Sequence, residues 1–365
     1  MSLSCGIVGL PNVGKSTIFN ALTRGQALAA NYPFATIDPN VGVIAVPDVR
    51  LDTLTEIVPT KKVMPTSVEI VDIAGIVKGA SAGEGLGNQF LSHIAEVDAI
   101  IEVVRCFEDK DIVHVSGSVD PDRDMDVIRT ELILRDLDAL TKHKTRNEKT
   151  ARAGDKKAIQ LLALLDRYEK TFNAGEPART VSLTPEERSA LKEVNFITAK
   201  PVLFAANVAE DELGKPDSAH VQKVRERAKK EGASVIKISG KVEEEISKLE
   251  TGERDEFLKA MGMNESGLDQ LAREGYKVLN LITFFTVGET ENRAWTVTRG
   301  SSAPQAAGKI HSDFEKGFIR AEVMSYQDFV QYRGEQGVKE KGRFRLEGKE
   351  YVVQDGDIMH FRFSV

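Results

Sequence analysis

A chain of 365 residues, 41% hydrophobic and 29% charged, can bury two or three separate cores and has the balance of a folded soluble protein. Its 56 acidic against 49 basic residues give a net charge of -7, which excludes bulk attraction to nucleic acid, confines any RNA contact to a local patch and leaves no DNA specificity expected. Cys5 and Cys106 lie far apart without a C-x-x-C spacing, against a disulfide framework or zinc site, and no run of 18 apolar residues occurs. With no room for a signal peptide before the first strand, a cytoplasmic protein without a membrane partner is expected.

The first predicted elements are a buried strand ending Cys5-Gly6-Ile7-Val8 and a helix opening at Thr17-Ile18-Phe19. Between them Gly9 to Ser16 read GLPNVGKS, the form G-x-x-x-x-G-K-[ST]. Gly9 and Gly14 let the backbone curl around phosphates, and the helix N-terminus favours the anion. Lys15 supplies a cation at the β- and γ-phosphates and Ser16 a hydroxyl for Mg²⁺. Asn12, Val13, Gly14, Lys15, Ser16 and Thr17 are the expected phosphate-end contacts of a nucleoside triphosphate. Thr36 follows in the order where a GTPase switch I places its Mg²⁺-sensing hydroxyl, although a loop threonine there is also ordinary.

Ser67 to Val71 reads as a strand delivering Asp72-Ile73-Ala74-Gly75, a D-x-x-G element at a strand end. Asp72 is expected to hold Mg²⁺ through water and the Gly75 N–H to sense the γ-phosphate, with the glycine-rich stretch 78–88 free to reorder. Ile76 stands where Ras-like enzymes carry a water-orienting glutamine, and an aliphatic side chain cannot polarise water. Ala99 to Val104 is a buried strand, and His114, just beyond it, is a candidate to position the water or a structural histidine.

More chain than one crossover helix needs separates this strand from the next. Apolar positions in 125–140 and 158–172 recur at helical spacing and predict two antiparallel helices bent near Ala153-Gly154-Asp155, and Thr184-Pro185-Glu186-Glu187 predicts a capped helix start. Lys142, Lys144, Arg146, Lys149, Arg152, Lys156 and Lys157 crowd the tip, as an RNA-phosphate footprint or as a solvated helix end.

Pro201 to Ala206, another buried strand, delivers Asn207-Val208-Ala209-Glu210 where a guanine-specific enzyme carries N-K-x-D. Val208 for lysine and Glu210 for aspartate weaken guanine recognition, while Asn207 can pair with the N6/N7 edge of adenine, so the residues lean towards ATP. Ser234 to Ile238 is the last strand of this domain and ends at Ser239-Gly240, a base-contacting loop by its order or a plain turn. Beyond Val278 short strands are predicted at 283–287 and 294–297, with a closing hairpin of 351–353 and 359–363 turned at Asp355-Gly356. Alternation of Met359, Phe361, Phe363 and Val365 predicts one packed and one solvent face for the final strand.

GLPNVGKS, DIAGIVKGASAGEGLGNQFL (72–91) and NVAE together resemble the Obg-like ATPases, the YchF branch of the Obg family of translation-factor-class P-loop proteins. The resemblance spans nearly the whole chain and implies ATP hydrolysed more readily than GTP, with N-x-x-E in place of N-K-x-D. It implies that Asn12 matches the asparagine that holds K⁺ in monovalent-cation-dependent relatives, and that the ribosome or RNA is the partner of the arm. AAGKIHSDFEKGFIRAEV (306–323) resembles the TGS domain, a ubiquitin-like β-grasp binding module, in which Lys309, His311, Lys316 and Arg320 could form a basic surface.

The expected fold is therefore α/β: a P-loop NTPase G domain (1–122 and 194–277), an inserted antiparallel coiled-coil helical arm (123–193) and a C-terminal TGS β-grasp domain (278–365). The expected function is a ribosome-associated switch that slowly hydrolyses ATP in preference to GTP, with Mg²⁺ and K⁺ as cofactors. Lys15, Asn12, Gly75 and His114 are its candidate catalytic residues; Ser16, Thr36 and Asp72 hold metal; Asn207, Val208, Glu210, Ser239 and Gly240 border the base. An RNA or ribosome scaffold with little hydrolysis and a GTPase with relaxed base choice are the alternatives.

Overall fold

The computed structural model describes residues 3–28, 40–73, 93–191 and 194–364. The chain forms two compact units, Met1–Val43 with Glu69–Leu271, and Ile44–Val68 with Ala272–Val365. Thr36, Gly75, Ile76 and the stretch 78–88 lie outside the described residues.

In chain order the first strands are β1 (Ser4–Val8), β2 (Val41–Ala45), β3 (Val63–Met64), β4 (Ser67–Asp72), β5 (Ala99–Arg105), β6 (Val202–Asn207) and β7 (Ser234–Ile238). One sheet has the order β2-β4-β1-β5-β6-β7. β1 runs parallel to β4 and β5, β5 to β6, and β6 to β7. Every residue of β5 and β6 is buried, which is why AIIEVVR and VLFAAN are mostly apolar on both faces and do not alternate, with Glu102, Arg105 and Asn207 as their buried polar members. Parallel strands bring their carboxyl ends to one edge, where open α/β sheets bind ligands. That edge carries the loops after Val8, Arg105, Asn207 and Ile238, the four segments that sequence analysis singled out.

The helices Pro121–Arg152 and Lys156–Asn173 form the arm. Gly154, at φ +89°, makes the bend, and Asp155 caps the second helix by accepting from the Ala158 N–H at 2.8 Å. Ile133, Leu140, Leu164, Leu165, Tyr168 and Phe172 bury the seam. At the root, Tyr168, Phe172 and Phe196 pack their rings 4.9 to 5.9 Å apart. Asp136 there accepts from the N–H groups of Ile197 and Thr198 at 2.7 and 2.8 Å. The capping box of Thr184 and Glu187 opens the helix Pro185–Ala190, as its sequence predicts.

In the second unit β8 (Leu281–Thr286), β9 (Asn292–Thr298), β10 (Phe318–Ser325), β11 (Arg345–Glu347) and β12 (Asp357–Phe363) join β3 in the order β11-β10-β12-β8-β9-β3. The expected closing hairpin is corrected: residue 352 makes one isolated bridge to Ser302, and β12 pairs with β10 and β8. The final strand begins two residues earlier than predicted: His360 and Arg362 reach solvent as expected, whereas Ile358 and Met359 at its start are both fully buried. Met359 packs with Val323 and Phe284 on one side, whereas Ile358 meets Leu54, Phe285 and Phe329 on the other.

Residues 44–68, expected in the nucleotide domain, belong to this second unit. The helix Val49–Ile57 is short and rich in β-branched residues, so propensity does not sustain it. Burial of Leu51 and Leu54, about 1.5–3 kcal/mol each, and the Asp48 cap on the Arg50 N–H do.

Candidate nucleotide-binding site

The helix Lys15–Leu28 starts directly from the loop, leaving its first N–H groups without intrahelical acceptors. Gly9 has no space for a side chain: a Cβ there would lie 2.8 Å from Val13 Cγ2 and 2.9 Å from the Val103 carbonyl oxygen. Gly14 sits at φ +93°, and a Cβ would come within 2.2 Å of Asn207 Nδ2. Asn12 also takes a left-handed conformation, φ +62°, and its Nδ2 donates to the Val113 carbonyl at 3.1 Å.

Lys15 is 9% exposed, and a buried ammonium needs a counter-charge. Asp72, at the end of β4, provides it through a direct ion pair. Ser16 and Thr17 line a cavity of about 1260 Å³ together with Asn12, Gly14 and Lys15. Its far end is formed by Asn207, Val208, Glu210, Ser239 and Gly240. The structure thus gathers most of the predicted contacts around one volume. Val13 is buried behind the loop and contributes its carbonyl inward, to Asn207.

Asn207, expected to border the base, lines the cavity and also bonds within the protein. Its Nδ2 donates to the Val13 carbonyl at 2.7 Å, its Oδ1 accepts from the Gly240 N–H at 2.9 Å, and it is 3% exposed. Both ends of the amide are engaged by protein, so this side chain ties the phosphate loop to the Ser239-Gly240 loop. Register explains the position: Asn207 ends β6 abreast of Arg105 and Ile238, at the centre of the binding edge.

His114 lies apart from the lining residues. Its ring is buried, Nδ1 accepts from the Ser116 N–H at 3.1 Å, and Nε2 therefore donates to Asp124 Oδ2 at 2.8 Å. Both ring nitrogens are thus engaged within the protein in this arrangement.

Sequence reasoning missed Phe107, Lys241, Glu244 and Met261, which also line the cavity. Phe107 follows a parallel strand's carboxyl end, a placement that could have marked it. Arg105, 1% exposed, covers its ring at 4.5 Å and donates to the carbonyls of Phe107, Asp109 and Ile112 at 3.1 to 3.4 Å, which stiffens this wall. Lys241 pairs with Glu210 at 3.1 Å, and that hydrogen bond raises the lysine pKa.

Among the described residues no group of three or more His, Cys, Asp or Glu could hold a metal, and no helix is long and apolar enough to cross a membrane. One hydroxyl and one carboxylate beside a phosphate loop nevertheless fit Mg²⁺, which such sites hold through the substrate's own phosphates. A phosphate loop at the switch point of a parallel sheet, with an Asp72 partner and an asparagine tying the two loops, defines a P-loop nucleotide-binding domain.

The comparisons with known proteins agree. Residues 4–131 match the family model described as "50S ribosome-binding GTPase", and residues 281–364 match YchF-GTPase_C, described as "Protein of unknown function (DUF933)". The "Ribosome-binding ATPase YchF" of Bacillus subtilis (strain 168) is 54% identical over 366 residues, and that of Haemophilus influenzae 54% identical over 365, each comparison covering 100% of both chains. The structure of the Schizosaccharomyces pombe YchF GTPase aligns with a TM-score of 0.89 at 39% identity, over 99% of this chain and 98% of that one. The chain belongs to the YchF family.

Proposed function

We propose that this protein is a cytoplasmic, ribosome-associated switch that hydrolyses ATP slowly and in preference to GTP. The observation that carries the base preference is the far end of the cavity. There Val208, 2% exposed, replaces the lysine that would cover guanine, and Glu210 is engaged by Lys241. Adenine has no 2-amino group and needs no carboxylate opposite it. The bacterial relatives are named ribosome-binding ATPases, which supports both the nucleotide and the partner.

The reaction is attack of water on the γ-phosphate. Lys15 exchanges Asp72 for the β- and γ-phosphate oxygens, and the first-turn N–H groups from Gly14 to Thr17 spread the remaining charge. Ser16 and Thr36 would be the oxygen donors for Mg²⁺, and Asp72, released from Lys15, would hold it through water. When bound, Mg²⁺ would offset negative charge on the phosphates. The Gly75 N–H reads the γ-phosphate. Asn12 Nδ2 is held by Val113, so Oδ1 is the atom through which this residue would take K⁺. With Ile76 in the glutamine position and His114 buried on Asp124, turnover is slow, and His114 contributes through its loop. The exposed arm-tip residues Arg146, Lys149, Lys156 and Lys157 meet rRNA, as do Lys309, His311, Lys316 and Arg320.

Calorimetric titration with ATP and with GTP, each with Mg²⁺ in K⁺ and in Na⁺ buffers, tests the reading. ATP is expected to bind at least about tenfold tighter, a difference of roughly 1.4 kcal/mol. Lys15→Ala is expected to abolish hydrolysis. Tighter GTP binding would return the chain to the GTPases, and K⁺-independent turnover would remove Asn12 from the catalytic set.

A further inference from the structure

The bond between His114 and Asp124 joins two parts of the fold that the ATPase reading leaves separate. Asp124 stands in the first turn of the long arm helix Pro121–Arg152 and is 3% exposed. One residue before His114, the Val113 carbonyl accepts from Asn12 in the phosphate loop. The segment between is a tight turn, with the Gly117 N–H donating to the His114 carbonyl at 3.0 Å and the Ser116 N–H to the ring. A short chain of hydrogen bonds therefore runs from the arm helix through Asp124, His114 and Val113 to Asn12.

We infer that Asp124 is a positioning residue for hydrolysis: the arm's first turn holds Asn12 in place through His114, so that a partner moving the arm resets the phosphate loop. The physical reason is the burial of the ring. If Asp124 withdraws, the Nε2–H is left unpaired in an enclosed site, and the loop must turn to give it another acceptor. Turning the loop takes the Val113 carbonyl away from Asn12, whose backbone takes the left-handed conformation that asparagine tolerates and whose side chain this bond holds in place. Arg105 fixes the other end of the loop through three carbonyls, so displacement concentrates at Val113 and His114. Coupling of this kind is reciprocal: nucleotide at the loop must in turn order the arm's first turn.

The inference rests on the ATPase reading, and its test separates the two. Asp124→Ala and Asp124→Asn are compared with the wild-type full chain for kcat, for ATP affinity by calorimetry and for amide hydrogen exchange with and without ATP and Mg²⁺. Asp124→Ala is expected to lower kcat at least about tenfold with ATP affinity within about threefold. Asp124→Asn keeps an oxygen that accepts from Nε2 and is expected to recover kcat to within about threefold of wild type. In the wild type, nucleotide is expected to slow exchange at Ser116, Gly117, Asp124 and Met125; in Asp124→Ala only the helix amides lose that response. Undiminished kcat in Asp124→Ala, or no nucleotide response at Asp124 and Met125 in the wild type, overturns the inference while leaving the ATPase reading intact. A wild type that binds no ATP overturns both. The wild-type exchange experiment stands even where Asp124→Ala fails to fold.

Discussion

Replacing Asn207 by alanine separates a scaffold from a base contact. The substitution removes two hydrogen bonds, to the Val13 carbonyl at 2.7 Å and from the Gly240 N–H at 2.9 Å. At about 0.5–1.5 kcal/mol each the direct loss is roughly 1–3 kcal/mol. The full penalty for two orphaned buried groups is lessened, because truncating Asn207 opens its volume to the cavity that Asn207 and Gly240 line. Asn207→Ala is therefore expected to fold, with its urea midpoint lowered by an amount equivalent to about 1–3 kcal/mol. The same two bonds hold the phosphate loop and the Ser239-Gly240 loop at a fixed separation, so both ends of the nucleotide site loosen together. ATP, GTP and inorganic triphosphate are all expected to bind about tenfold to a hundredfold more weakly, a loss of roughly 1.4–2.8 kcal/mol. Titration of the three ligands into wild type and variant measures it. A variant that binds triphosphate normally and loses affinity only for ATP would refute the scaffold argument and restore Asn207 to the adenine edge.

Three further expectations follow from other parts of the fold. Glu102, buried against Glu231 among Arg129, Arg179 and Arg227, has its pKa pushed by burial from 4.5 to about 8. The native state then holds the extra proton between those values, so stability falls as pH rises through that window. Glu102→Gln should remove this dependence and be more stable than wild type at about pH 9, by on the order of 4 kcal/mol in urea unfolding; parallel pH profiles would sink the argument. At the arm tip, reversing Lys149, Lys156 and Lys157 to glutamate should lower rRNA affinity and reduce the log-log salt slope by about 2 to 3. Lys144 is spent differently, on Asp166 at 2.5 Å and Glu169 at 2.7 Å across the seam. Lys144→Ala should leave the slope alone and cost at most about 1 kcal/mol of stability. Finally, Val208→Lys with Glu210→Asp should shift the ATP-to-GTP affinity ratio at least about tenfold towards GTP in calorimetry; an unchanged ratio would mean that base choice lies elsewhere on the cavity wall.

The nucleotide site was legible because its signals are local. A phosphate loop needs its glycines, lysine and serine within eight consecutive residues. A buried parallel strand announces itself as an apolar run, so β5, β6 and the strand-end positions of Asn207 and Ser239 could be read directly. What failed were assignments that depend on partners distant in sequence. Lys144 reads as one more basic residue until Asp166 and Glu169 are found opposite it, across the bend. Asn207 offers an amide that suits adenine, and only the placement of Val13 and Gly240 shows that the same amide also ties two loops together.

The second unit hid for a related reason. Its sheet takes β3 from residues 63–64, far upstream of the strands beside it, and its core takes Leu51 and Leu54 from a helix that propensity alone would not form. The alternation of Met359 and Phe361 with polar neighbours correctly marked one packed face, yet the other face is buried at Ile358 by that upstream helix. A binary pattern reports what a strand tolerates in water and cannot report a cover supplied by distant chain. His114 is the same case beside the functional site: its type and its place beyond a strand end could be read, whereas the carboxylate from the arm helix that holds its ring could not. A contact that no motif records thus joins the arm helix to the loop that supports Asn12, and through it Asp124 is inferred to act on turnover without touching the nucleotide.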